Sequence, residues 1–393
     1  MHSNLQRKIS SMESCRGNNH AQDQLKQWFL ADFGTLDLPR SVHVAGTNGK
    51  GSVIAWLEAL LSAKGISSGS FISPHLISHN ERIRINGQPI SLEEWETIYD
   101  QFEERFGQRQ MTMFEMDLWM AAAAFQKAKP KWILMETGLG GSRDATTILN
   151  YPLGIITHIG LDHMAFLGNT RPEIAQAKAG IIFRDMNIVT AEKDPECLTV
   201  FSQRAASQRA ALIPIDAASY DFSGFWKENL PAYQKDNFLC ALAALEQAGM
   251  TFSLDELKKA VDHFHWAGRF DLLRSTPLLI LDGAHNPDGI AALVGSLQKQ
   301  PMKIDRIYFS VLADKQAGEM IRDLQAITAC ITLVEFESGR IADLKVLAKE
   351  YGLEVIRFDQ MMDRLQQTDE NCAVCGSLYF AGEVLRGWKA KNG

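Results

Sequence analysis

His43-Val44-Ala45-Gly46-Thr47-Asn48-Gly49-Lys50-Gly51-Ser52-Val53 is the stretch on which the fold turns. Ser41 to Ala45, ahead of the glycines, reads as a short buried strand. Ser52 to Lys64, after them, has helical spacing, with Val53, Trp56, Leu57, Leu60 and Leu61 on one face. Strand, glycine-rich turn and helix in that order suit a phosphate-binding loop. Glycine lets backbone N–H groups turn onto phosphate oxygens, a helix start adds positive potential, and Lys50 adds a mobile charge. Gly51 stands between that lysine and the hydroxyl of Ser52, which departs from the standard Walker A spacing. A plain glycine-rich turn would account for the glycines, but not for Lys50 and Ser52 together.

Outward from this loop, short apolar strands alternate with helices, the pattern of an α/β protein. Gly69 to Ile72 reads as a strand that ends at Ser73-Pro74-His75. Asn80 to Gly87 alternates like a short exposed strand or hairpin, and Ser91-Leu92-Glu93-Glu94 opens a helix towards Phe106. Phe114 to Lys127 is strongly helical. Trp132 to Met135 is a strand delivering Glu136, either as a metal-binding acid in the Walker B manner or as a cap on the Gly138–Gly141 turn. Gly154 to Gly160 leads to Asp162-His163, a surface turn or part of a site. By the alternation of strands and helices, Ser52, Ser73, Glu136 and His163 share the carboxyl edge of one sheet, where open α/β sheets bind ligands. Pro172 to Ile181 is a helix carrying Lys178, which the local pattern does not distinguish from a solvated lysine. Asn187 to Thr190 is one more strand.

Gln22 to Phe33 has amphipathic spacing, and the polar residues before it read as disordered. Residues 192–225 give no clear pattern. Asn237 to Ala248 is helical and Phe264 to Phe270 a connector. Strands at Pro277–Leu281, Arg306–Val311 and Ile331–Phe336 then mark a second, smaller α/β domain. The expected division is residues 1–272 and 273–393.

A chain of 393 residues suits two domains. Its formal charge of −7 gives no broad basic surface and argues against a nucleic-acid partner. No apolar run suits a signal peptide or a membrane span. Six scattered cysteines fit a reducing, cytoplasmic setting, and Cys372 and Cys375 read as core residues rather than a redox or zinc pair.

Several motifs occur in order: the loop at 43–53, Ser73-Pro74-His75-Leu76, Phe114-Glu115, Glu136 to Gly141, Asp144-Ala145-Thr146 and Gly160-Leu161-Asp162-His163. Lys178-Ala179-Gly180-Ile181, Gly268-Arg269-Phe270, Asp282 to Pro287 and Gly376-Ser377-Leu378-Tyr379 follow. Together, from Ser41 to near Leu385, they resemble the folylpolyglutamate synthase and dihydrofolate synthase family of the Mur ligase superfamily. The resemblance implies a P-loop NTPase-like Mur ligase central domain with a smaller Rossmann-like C-terminal α/β domain. It implies an ATP-dependent ligase that phosphorylates a folate or pteroate carboxylate, then joins it to L-glutamate.

By the same pattern, Thr47, Asn48, Gly49, Lys50, Gly51 and Ser52 hold ATP, and Asn237 lies near the adenine. Arg269, Asp282 and His285 reach the nucleotide. Ser52, Ser73 and Glu136 hold one Mg2+, and His163 with Glu136 a second. Lys178 matches a carbamylated lysine, so Lys50, Lys178, His163 and Arg269 form the catalytic group. Phe114 and Asp144 match positions near the pterin. The implied partners are ATP, L-glutamate and a folate or dihydropteroate, with no nucleic acid, no membrane and a monomeric chain. Ser142 stands where the family usually has arginine, Ala165 where an acid is common, and Ala267 where proline is frequent. The segment before the phosphate loop is also short and unlike the family's. The alternatives are a Mur-type ligase for another acid and an inactive nucleotide-binding homologue.

Overall fold

The computed structural model describes residues 2–15, 20–35, 37–38, 40–227 and 229–392. The chain forms two compact units, Met1–Trp226 with Asp236–Phe264, and Lys227–Lys235 with His265–Gly393. No helix among the described residues is long and apolar enough to cross a membrane.

Up to Phe264 the elements are α1 (His2–Ser14), α2 (Gln22–Phe33), β1 (Ser41–Ala45), α3 (Lys50–Ala63), β2 (Ser68–Phe71), β3 (Ile83–Ile85), β4 (Gln88–Pro89), α4 (Leu92–Arg109) and α5 (Met113–Ala128). There follow β5 (Trp132–Glu136), β6 (Leu153–Ile156), α6 (Met164–Leu167), α7 (Arg171–Lys178), β7 (Asn187–Thr190), α8 (Pro195–Gln208), β8 (Ala211–Pro214), α9 (Tyr233–Gln247) and α10 (Leu254–His263). The sheet runs β4-β3-β2-β5-β1-β6-β7-β8, parallel except at β3 and β4. After β1 the chain moves to the β2 flank, returns to β5, then crosses to β6 on the other side. That reversal opens a crevice at the carboxyl end of β1, the usual ligand position in such sheets. All five residues of β1 are buried, and α3 is buried nearly all round, as a helix covered on several faces must be.

Two regions differ from the sequence reading. The polar stretch ahead of Gln22, read as disordered, contains α1; Leu5, Ile9 and Met12 line one stripe and pack into the core. Spacing of four and then three residues put those side chains on one helical face despite the polar composition. Within residues 192–225, α8 and β8 form, and Asp194 caps α8 by accepting from the N–H groups of Glu196 and Cys197, with Pro195 in the first turn.

Beyond the connector lie β9 (Asp271–Ser275), β10 (Leu278–Leu281), α11 (Pro287–Leu297), β11 (Arg306–Phe309), α12 (Ala317–Gln325), β12 (Ile331–Glu335) and α13 (Leu344–Tyr351). Then come β13 (Glu354–Arg357), α14 (Phe358–Gln367), β14 (Cys372–Cys375) and α15 (Leu378–Asn392). This sheet runs β13-β12-β11-β14-β10-β9 and is parallel except for β9, which pairs antiparallel with β10. Cys372 and Cys375 lie on an interior strand and are both buried. An odd spacing puts them on opposite faces, and burial pushes the Cys372 thiol up to about 12. They are core residues.

Candidate functional site

The loop after β1 is shaped by two glycines at positive φ, Gly46 (150°) and Gly49 (96°). A Cβ at Gly46 would strike the side chain of Thr157, and one at Gly49 would meet Asn237 Oδ1. Thr157 Oγ1 donates to Asn48 O at 2.6 Å, and the Thr47 N–H donates to His158 O at 2.8 Å. The Gly160 N–H donates to Thr47 Oγ1 at 3.0 Å. The loop after β6 thereby clamps the loop after β1. Lys50 curls back, its Nζ donating to Gly46 O at 3.2 Å and Thr47 O at 3.4 Å, 3.9 Å from Glu136 Oε1.

Glu136 ends β5 and is buried; its Oε2 accepts from the Ser73 N–H, on the loop after β2, at 3.1 Å. Ser52 is buried in the first turn of α3. His163 starts α6 at φ 52°, its N–H donating to Asp162 Oδ1 at 2.8 Å. The loops after β1, β2, β5 and β6 therefore meet at one edge, as the alternation of elements predicts.

Lys178 does not behave as a solvated helix lysine. It is buried and donates to Gly46 O at 2.7 Å. Burial, reinforced by the charge of Lys50, lowers its pKa to about 7. The reason lies in the fold: α7 ends against the phosphate loop, a contact with no local sequence signal.

In the second unit Arg269, Asp282 and His285 gather at one turn. Asp282 is buried and already engaged, accepting from the N–H groups of Phe270 and Ala284, both at 2.7 Å, and from Tyr233 Oη at 3.1 Å. Burial pushes its pKa up, against the pull of Arg269. Arg269 Nη1 donates to Gly268 O at 3.2 Å, and His285 Nδ1 lies 2.8 Å from Gly283 O.

Phe114 and Asp144 line one cavity of about 830 Å³, together with the Gly138–Gly141 turn, Phe166 and Arg204. Asp144 shapes that turn: Oδ2 accepts from the N–H groups of Gly138 (2.8 Å) and Leu139 (3.0 Å), and Oδ1 from Thr146 N–H (3.0 Å). The cavity joins the phosphate loop through α7, where Ala177 lines the cavity and Lys178 bonds Gly46.

Sequence reasoning misses Thr157, Glu192 and the charged cluster beneath the Ser73 loop. Burial raises the Glu192 pKa, but hydrogen bonds from His158 and from the Asp194 and Ile159 N–H groups outweigh it and hold it at about 2. Glu13, His75 and His79 carry nitrogen and oxygen atoms within 4.8 Å of one another. His79, however, places Nδ1 3.1 Å from Glu13 and Nε2 2.7 Å from Asp117, which also pairs with Arg82 at 2.9 Å. Burial disfavours its charge, yet Asp117 outweighs burial and raises the pKa to about 9. A cationic imidazole donates from both nitrogens and has no lone pair for a metal. This is an ion cluster.

The Mur ligase middle domain matches residues 44–238, and the Mur ligase, glutamate ligase domain matches residues 268–375. The dihydrofolate synthase/folylpolyglutamate synthase of Bacillus subtilis is 35% identical over 396 residues, covering 88% of this chain and 90% of that one. This chain belongs to the folylpolyglutamate synthase/dihydrofolate synthase family. A family structure from Yersinia pestis, complexed with AMPPNP and Mn ion, superposes with a TM-score of 0.88 at 29% identity, covering 98% of each chain. The Escherichia coli member in complex with DHPP and ADP gives 0.87 at 25% identity, covering 99% of this chain and 98% of that one. The shared architecture is that of the Mur ligases.

Proposed function

We propose that this chain is an ATP-dependent ligase that joins L-glutamate to the carboxylate of a folate or pteroate, releasing ADP and phosphate. The observation that carries this reading is the phosphate loop and the cavity lined by Phe114 and Asp144 sharing α7. A carboxylate is a poor electrophile, so a phosphate site beside an organic-acid cavity suits activation by phosphorylation. The β–γ phosphoanhydride bond breaks as the acceptor carboxylate bonds the γ-phosphorus. The glutamate amine then attacks the acyl carbon, phosphate leaves, and the amine loses its proton to solvent. Relatives solved with Mn, AMPPNP and L-glutamate, and with DHPP and ADP, support the assignment.

In this reading the N–H groups of Asn48 to Ser52 receive the phosphates, Thr47 shapes the loop through its N–H bond to His158 O, and Lys50 turns from Gly46 O to the γ-phosphoryl oxygens, where charge accumulates during transfer. Asn237 packs on Gly49, and its place near the adenine rests on the family's pattern. The nucleotide roles of Arg269, Asp282 and His285 rest on the family's pattern. Phe114 and Asp144 form the pterin end of the cavity. The Glu136 carboxylate with the hydroxyls of Ser52 and Ser73 is a hard-oxygen set that fits Mg2+, and His163 with Glu136 would hold a second ion. Such ions, when bound, neutralise phosphate charge.

A lysine with a pKa near 7 is substantially neutral at physiological pH, so Lys178 can add CO2 and release a proton, becoming a carbamate anion. Enzyme stripped of CO2 is expected to lose activity and regain it with bicarbonate; indifference to bicarbonate rejects the carbamate. The active unit is proposed to be a monomer in the cytoplasm, which light scattering checks for oligomeric state. The main test is a product assay by mass, with dihydropteroate and tetrahydrofolate offered separately with glutamate and ATP. Phosphate release that ignores both acceptors would sink the reading, and product from an unrelated acid alone would favour a different Mur-type substrate.

A further inference from the structure

His43 is a buried polar residue on β1 that the roles above leave unused. It stands three residues before Gly46, on the strand that delivers the phosphate loop. Its ring stacks on Tyr151, with centroids 4.2 Å apart and planes at 19°, and its Nε2 lies 2.8 Å from Thr146 Oγ1. Tyr151 Oη donates to Thr146 O at 2.9 Å, so one threonine is gripped at both its hydroxyl and its carbonyl. Thr146 Oγ1 is in turn 2.5 Å from Asp144 Oδ1, and Asp144 Oδ2 holds the Gly138 and Leu139 N–H groups. A continuous line of hydrogen bonds thus runs from β1 to the turn that lines the cavity.

With Asp144 ionised, one arrangement of protons satisfies this line. A threonine hydroxyl has a single proton, and that of Thr146 goes to Asp144 Oδ1. Thr146 Oγ1 then offers only lone pairs to His43, so Nε2 must carry hydrogen. A second proton on the ring is excluded: Nδ1 is covered without a partner among the described residues, and burial lowers the pKa to about 3. The reverse line would have a protonated Asp144 donate to Thr146 and Thr146 donate to His43, leaving the ring's N–H on Nδ1. That is the costlier orphan, because a buried N–H without an acceptor is rarer than an unused lone pair. Burial raises the Asp144 pKa, and its hydrogen bonds, that from the Thr146 hydroxyl foremost, oppose the rise. We propose that His43 is a positioning residue for the acceptor: as the neutral Nε2–H tautomer it commits the Thr146 proton to Asp144, and so ties the Gly138–Leu139 turn to the strand bearing the phosphate loop. The proposal rests on the ligase reading.

Nitrogen NMR of the full chain with labelled histidine reads the tautomer directly, the His43 signals being those that vanish in His43→Gln. A bare Nδ1 and a protonated Nε2 are expected at neutral pH; hydrogen on Nδ1 overturns the proposal. Steady-state kinetics then tests the positioning. His43→Met, which removes the donor, should raise the acceptor KM on the order of five-fold and leave the KM for ATP unchanged. His43→Gln, whose amide can donate to Thr146, should regain most of that loss. Thr146→Val interrupts the same line, so the double variant with His43→Met should raise the acceptor KM no further than Thr146→Val alone. An acceptor KM that stays put in both single variants overturns the proposal. So does one that rises together with the KM for ATP, which would make His43 a packing residue only. Should His43→Met not fold, Thr146→Val carries the kinetic test and wild type the spectroscopic one. If wild type adds glutamate to no folate in the mass assay, the ligase reading fails and the acceptor role with it, whatever the tautomer.

Discussion

Two helices in this chain, α3 and α11, each follow a parallel strand through a glycine-containing turn, yet their first turns are built in opposite ways. The α3 start has Gly49 at its N-cap, which offers no side chain to the first N–H groups, and Lys50 follows it. The α11 start is closed by Asn286, whose side chain accepts from the Gly289 N–H at 2.8 Å, with Pro287 in the first turn and Asp282 bracing the loop behind it. An N-terminus without a side-chain cap presents its donors and its dipole to an external anion; a capped one has answered them internally. The same strand–turn–helix topology therefore leaves an uncapped helix start, suited to an anion, in one unit and an internally capped one in the other.

The comparison breaks most easily at Lys50. Lys50→Ala should lower kcat by about a thousand-fold, the scale of losing a charge aimed at the transition state, with the melting temperature nearly unchanged. Retained turnover would mean that the α3 start is another brace. Asp282→Ala should show in stability first, costing about 3 kcal/mol because three donors lose their acceptor. Denaturant unfolding reads this, and a stable variant would show the brace is dispensable.

The ion cluster under the Ser73 loop adds a pH signature. The folded pKa of His79, about 9, lies above its ordinary 6.5, so its contribution is complete below about 6.5 and is lost as pH rises through 9. That loss should amount to about 2–3 kcal/mol between those limits, and His79→Gln should flatten it in unfolding curves at pH 6.5 and 9.5. The smallest effect is expected at the α11 cap: Asn286→Ala should cost about 1 kcal/mol in stability, as loss of a helix cap does. A larger cost, or a fall in ATP affinity, would give Asn286 more than a capping role.

What the sequence made legible was local and contiguous. The loop at 43–53 carries strand, glycines, lysine and helix in eleven neighbouring residues, and Glu136 stands at the end of an evident apolar strand. Convergence of Ser73 and Glu136 followed from parallel topology alone. The groups that act through tertiary contact were silent. Thr157 matters because it fills the space above Gly46, Arg204 because α8 faces a cavity, and Lys178 because α7 ends on the loop; none has a local pattern. α1 was hidden by its polar majority, its three core residues being too few to announce a helix. β9 was concealed because it directly follows the stretch at Phe264 to Phe270 that reads as a connector, and its strand character comes from pairing with β10.

The carbonyl of Gly46 receives both Lys50, at 3.2 Å, and Lys178, at 2.7 Å. A shared acceptor makes one of its donors expendable. With Lys50 turned to a phosphate, as proposed, the carbonyl would keep the shorter bond and not be stranded without a partner, so the lysine would move without unpicking the loop that holds it. The carbamate proposed for Lys178 would retain one N–H and with it a donor for that bond. The loop's firmness and its lysine's freedom are supplied by different residues.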